Sequence, residues 1–144
     1  FVNTHLEAFD PETAVPSIRA QQAAELVGPG GAADPSNRLP VILLGDLNSD
    51  VKTEVKPGDG QAYRVVTGAG FRERSAAKPL SCCISSVDLK GGSVKDFNHK
   101  VDHILTDAPK DVKLVSAAVT GREKHGGWWD SDHAGLASVL RISR

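Results

Sequence analysis

Val41-Ile42-Leu43-Leu44 is the longest strongly apolar run in the chain, and it leads directly into Gly45-Asp46-Leu47-Asn48-Ser49-Asp50. Consecutive apolar residues without alternation suit a strand buried on both faces, with a layer of structure on each side of its sheet. The polar tail then falls at the strand's carboxyl end, where ligands and catalytic groups gather in α/β sheets. The run is far too short to cross a bilayer.

The rest of the chain fits around that strand. Phe1-Val2-Asn3-Thr4-His5-Leu6 alternates and is β-branched, so it reads as a strand with Val2, Thr4 and Leu6 on one face and Asn3, His5 and Glu7 on the other. Asp10-Pro11-Glu12 breaks it. Pro16 and Ser17 open a helix to about Val27, with Ile18, Ala23 or Ala24, Leu26 and Val27 as its apolar stripe, and Gly28-Pro29-Gly30-Gly31 stops it. A short helix is expected from Gln61 to Thr67, ended by Gly68 and Gly70. Residues 72–100 read as irregular surface loops. Strands are expected over Val101–Leu105, Val112–Val119 and Ala134–Ile142, the last with Leu136, Val139, Leu140 and Ile142 as core candidates. About five strands and two helices make an α/β domain with a mixed β-sheet and flanking helices.

Composition bounds what this domain meets. The chain has 144 residues, enough for one ordinary domain, and 40% apolar with 24% charged residues is a globular balance. A net charge of −1 offers no global basic field for nucleic acid, so any polyanion must be met by a local patch. Arg72, Arg74, Lys78, Arg122 and Lys124 are interrupted by Glu73 and Glu123 and read as a solvated surface. The adjacent Cys82 and Cys83 read as two small, partly buried thiols, with a vicinal disulfide or a bridge to another segment as alternatives. Zinc spacing is lacking, because no CxxC or second Cys/His cluster is present. Phe1 begins inside a strand, with neither an initiator Met nor a signal peptide, so a fragment or processed product is expected.

Several residues have the types and positions that chemistry needs. Asp46 and Asn48 stand two apart, so both point the same way while Leu47 turns into the core. An EF-hand loop would also use Asp46, Asn48 and Asp50, but Val51 stands where Gly is required and Pro57 where the bidentate Glu should be. Asp102 sits among Val101, Ile104 and Leu105, and a carboxylate there is costly unless paired. His103 faces the other way, so the leading partner is His133 in "WWDSDHAGL", with Asp132 left to bind a hard cation. Trp128 and Trp129 beside this corner either stack on a ligand or cap the core. Phosphoester hydrolysis needs such a set: a cation to neutralise phosphate, a base to direct water, and donors for the developing charge. No GxSxG elbow, Walker loop or HExxH occurs.

The order "NTHLE", "GDLNSD", "VDHIL", "SDHAGL" resembles the C-terminal half of the endonuclease/exonuclease/phosphatase superfamily, the deoxyribonuclease-like fold, from Phe1 to Ile142. The resemblance implies that residues 1–144 are the C-terminal portion of one such domain, part of a four-layer α/β/β/α sandwich whose N-terminal half, with its metal-binding Asn and Glu, is absent. It implies that His5 contacts the phosphate or assists the leaving group, that Asp46 orients or deprotonates the attacking water, and that Asn48 binds the scissile phosphate. Asp102 would pair with His133, and Asp132 would help ligate Mg2+ (or Mn2+ or Ca2+). The substrate would be a phosphoester of a nucleic acid, an inositol phosphate or a lipid headgroup. An exported protein is the leaning from bacterial relatives. A non-catalytic binding or scaffold module retaining the sandwich is the competing expectation.

Overall fold

The computed structural model describes residues 1–9, 16–53, 59–85 and 87–143; the expected break at Asp10-Pro11-Glu12, and Pro57, lie outside them. The elements run β1 (Val2–His5), α1 (Ile18–Val27), β2 (Ile42–Asp46), α2 (Gln61–Gly68), β3 (Arg72–Glu73), a 3-10 turn at Val94–Asp96, β4 (Asp102–Thr106), β5 (Val112–Thr120), β6 (Lys124–His125), β7 (Trp128–Trp129) and β8 (Gly135–Ile142). Ser17 caps α1 through its hydroxyl, which accepts from the Ala20 N–H.

The central sheet has the order β1-β2-β4-β3. β1 and β2 are parallel and joined by α1, the crossover that a parallel pair requires, whereas β4 runs antiparallel to both β2 and β3. The sheet is therefore mixed, as expected. Leu43 and Leu105 face each other across the ladder and are fully buried, packed with Ala23 and Val27 of α1 and Ala62 and Val66 of α2. Both helices thus cover one face. Alternation sends Ile42, Leu44 and Asp46 to the other face, directly opposite Thr106, Ile104 and Asp102. The paired β5 and β8 touch β4 through β8. A second small core of Ile84, Phe97, Trp129 and Ala134 packs against Val119 of β5 and Leu89.

Four expectations are corrected. Ile18 and Ala24 are exposed, and α1 instead buries Arg19, Ala20, Ala23 and Val27, the set that helical spacing places on one face. Residues 72–100 are not merely surface loops: they include the edge strand β3 and bury Ser75, Ser81, Cys82, Ile84, Phe97 and Lys100. Val139 and Ile142 are more than half exposed, because Val139 points away from the body of the domain and the β5/β8 hairpin pairs with no further strand among the described residues. The β6/β7 hairpin was not anticipated; Gly126 and Gly127 turn it with positive φ angles of 57° and 86°, so the Gly-Gly pair was its available signal. Among the described residues no helix is long and apolar enough to cross a membrane.

Candidate functional site

The register of β2 against β4 sets Asp46 directly opposite Asp102. Two carboxylates facing across a ladder repel each other unless a donor or cation stands between them. His133 is that group. Its Nδ1–H donates to Asp102 Oδ2 at 3.0 Å, while its Nε2 lies 3.8 Å from Asp46 Oδ2. His5, at the end of β1 and alongside Asp46 in the parallel pairing, brings its Nε2 to 3.5 Å from the same oxygen. Ser81 donates to Asp102 Oδ2 at 2.6 Å. The expected Asp102–His133 pair forms, and Asp46 and both imidazoles gather at one corner.

The electrostatics follow from this packing. Burial raises the Asp46 carboxyl above its ordinary value, as does the nearby Asp102 charge, against the Asn48 N–H and the two imidazoles. Burial pushes Asp102 up as well, but the hydrogen bonds from His133 and Ser81 win and hold it below its ordinary value. The Asp102 hydrogen bond raises His133 despite partial burial. The imidazole is thereby kept in one orientation with Nε2 facing outward from its carboxylate partner.

The loop after β2 is fixed by backbone capture. Gly45 has φ +134°, and a Cβ there would collide with the Thr4 carbonyl, so only glycine permits β1 to pair this closely. Leu47 is fully buried, as expected. Asn48 takes the left-handed conformation, φ +47°, that Asn tolerates better than most residues. Its N–H donates to Asp46 Oδ1 at 2.6 Å and its side-chain amide to the Leu6 carbonyl at 2.9 Å, leaving the second amide hydrogen outside that bond. Arg19 donates to the Asn48 carbonyl and His103 Nε2 to the Ser49 carbonyl at 2.9 Å. His103 does face away from Asp102, onto Glu73 at 2.8 Å and against the Tyr63 ring. Asp50 caps Lys52 N and Thr53 N, a turn role.

The remaining expectations divide. Asp132 is next to His133 in sequence, yet its carboxylate belongs to neither group of three close metal-donor side chains among the described residues: Asp46-Asp102-His133, and Cys82-Cys83-His133. Its Oδ1 accepts from the Ser131 hydroxyl at 3.3 Å. Cys82 and Cys83 are joined to each other as a disulfide rather than held as two thiols. Glu73 is no surface charge but a partner of His103 and Lys100. Arg74 and Arg122 are half-buried and donate to backbone carbonyls, of Val112 and Pro109 and of Val94, rather than lying fully solvated. Trp129 is buried edge-on against Phe97, and its Nε1 donates to the Gly91 carbonyl; Trp128 is exposed beneath Lys90. Ser81 and Arg19 escaped the sequence reading: neither lies in a motif, and their roles arise only from long-range contacts.

No protein-family model matches the chain, and no curated protein does. Solved structures do. A functionally unknown conserved protein from Enterococcus faecalis V583 superposes with a TM-score of 0.61 at 14% identity, over 98% of this chain and 49% of that one. The mannosyl-6-phosphatase of Bacteroides thetaiotaomicron VPI-5482 superposes with a TM-score of 0.56 at 18% identity, over 97% and 50%. The chain shares their fold. An endonuclease/exonuclease/phosphatase family protein from Bacteroides thetaiotaomicron also matches, at a TM-score of 0.48 and 20% identity, over 96% and 48%. The α/β mixed-sheet fold of the chain is thus the one seen in the Enterococcus protein and in the mannosyl-6-phosphatase. The chain spans about half the length of the solved structures it matches.

Proposed function

We propose that this chain is the C-terminal portion of a metal-dependent phosphoesterase domain. The observation that carries the reading is the meeting of Asp46 with a His133 imidazole that Asp102 orients. Asp46, raised by burial, is a stronger base than a solvated carboxylate and directs the attacking water. His133 presents Nε2 to a phosphate oxygen, and Asp102 stabilises its cationic form. The free hydrogen of the Asn48 amide donates to the scissile phosphate, and the exposed His5, beside the same Asp46 oxygen as His133, serves the phosphate or leaving group.

Asp132 is the ligand this chain offers to Mg2+ or a similar cation. A single carboxylate fits such an ion only in part, since hard cations take about six oxygens, so the remaining ligands come from the N-terminal half of the domain. The cation's contribution is neutralisation of phosphate charge. Two observations support a missing half. The shared fold recurs in chains about twice as long, one of them a mannosyl-6-phosphatase. Leu114, Val115, Val139 and Ile142 also leave the β5/β8 hairpin apolar and exposed, as a sheet lacking its neighbour would be.

The test is Mg2+-dependent hydrolysis of bis-(p-nitrophenyl) phosphate by the chain alone and by a polypeptide that joins it to an N-terminal half. Negligible turnover alone and clear turnover when joined are expected. Robust turnover by the isolated chain would refute the dependence on a second half. Silence of the joined protein would favour a scaffold module.

A further inference from the structure

A second cluster shares only His133 with the groups assigned to phosphate above. The segment Ser81-Cys82-Cys83-Ile84 is zipped to Asp132-His133-Ala134: the Ala134 N–H donates to the Ser81 carbonyl at 2.8 Å and the Ile84 N–H to the Asp132 carbonyl at 2.9 Å. Cys82 and His133 are bridge partners between those two bonds. This brings Cys83 Sγ to 3.7 Å from His133 Nε2, across 50 positions of sequence. Nδ1 of the ring is committed to Asp102, so Nε2 is the nitrogen with a lone pair to offer. Both sulfurs and an imidazole nitrogen lie within 4.8 Å of one another. Sulfur with imidazole is the donor set of soft and borderline cations such as Zn2+, and it discriminates against the hard Mg2+.

We propose that Cys82, Cys83 and His133 form a redox-gated binding site for a thiophilic divalent cation of the Zn2+ class. In the disulfide the sulfurs are uncharged and bonded to each other, and the site is closed. A dithiol reductant opens it. The Cys82–Cys83 S–S bond breaks and an S–S bond forms in the reductant, whose two electrons and two protons pass to the cysteine sulfurs. Binding the cation then releases those two protons, and the Nε2 proton of His133 where the ring is protonated, because thiolate and neutral imidazole are the ligands. Exposed Cys83 gives the reductant and the cation access, while buried Cys82 is anchored by mutual backbone hydrogen bonds with His99. A cation held there occupies His133 Nε2 and would silence the hydrolysis proposed above; that consequence rests on the phosphoesterase reading, whereas the binding does not.

The experiment is a Co2+ titration of the 144-residue chain, reduced anaerobically with a phosphine and desalted. The readout is the near-ultraviolet sulfur-to-cobalt charge-transfer band and its loss when Zn2+ displaces cobalt. The reduced protein is expected to develop the band at one equivalent, the oxidised protein and Cys83→Ser to lack it. His133→Asn should bind cobalt at least about tenfold more weakly, the scale on which perturbing a metal site's residues acts. Absence of the band in the reduced protein, equal binding by the oxidised protein, or unchanged affinity in His133→Asn would each overturn the proposal. Cys83→Ser alters an exposed side chain, so its circular dichroism should match the wild type and keep the test decisive should His133→Asn fail to fold.

Discussion

Glu73 shows how strongly single residues are set by their neighbours here. Burial alone would raise its carboxyl, yet the hydrogen bond and charge of His103, with Lys100 and Ser75, pull it from 4.5 to about 2. A carboxylate whose folded pKa lies below its unfolded one stabilises the fold above the unfolded value and ceases to do so as pH falls. Its contribution is therefore fully present above pH 4.5 and is lost as pH falls towards about 2. Glu73→Gln should cost roughly 3 kcal/mol near neutral pH, the scale for removing one partner of a buried ion pair. It should also flatten the loss of stability across that acid window, as measured by urea unfolding at a series of pH values. An unchanged acid slope would contradict the assignment. At this scale the sequence was legible wherever a polar residue interrupted an apolar strand: Asp46, Asp102 and the turn of His103 away from Asp102 followed from alternation. It was silent on Ser81, Arg19 and the His103–Glu73 pair, whose partners are remote in the chain. Asp132 was assigned as the carboxylate left over once Asp102 takes His133, and its carboxylate stands outside the two close donor groups among the described residues.

Elements were readable in proportion to their regularity. The two helices and the long strands emerged near their observed bounds because each carries a cap, a break or an apolar run. Residues 72–100 did not, since their order comes from long-range polar contacts such as Lys100 to Ser75 and Arg74 to Val112 rather than from a period. The apolar pattern of β8 was legible but its burial was not: Leu136 and Leu140 turn inward while Val139 and Ile142 lie exposed. The β6/β7 hairpin separates two tryptophans that sequence alone left equivalent. Trp129, wedged between Phe97 and Ala134, should cost about 3–5 kcal/mol when replaced by Ala, the range for large aromatic truncations in a core. Trp128→Ala, at an exposed position, should stay within about 0.5 kcal/mol. Thermal melts of the two variants check this, and similar losses for both would show that Trp128 is also a core residue.

Across the whole molecule, one mixed sheet carries helices on one face and the Asp46-Asp102-His133 corner on the other. β2 and β4 fix the two aspartates by register, and the segment before β8 delivers the imidazole between them. The motifs in their order were enough to anticipate this convergence, because each falls at a strand end that the topology gathers. Among the described residues the β5/β8 pair joins no further strand, and Leu114, Val115, Val139 and Ile142 stay exposed on it. The decisive measurement is the Mg2+-dependent hydrolysis of bis-(p-nitrophenyl) phosphate by the polypeptide joined to the N-terminal half proposed above, with and without Asp46→Asn. The account predicts a loss of at least about 10²-fold in kcat, the contribution typical of a positioned general base, with an unchanged melting temperature. Turnover by Asp46→Asn equal to that of the parent protein would contradict it.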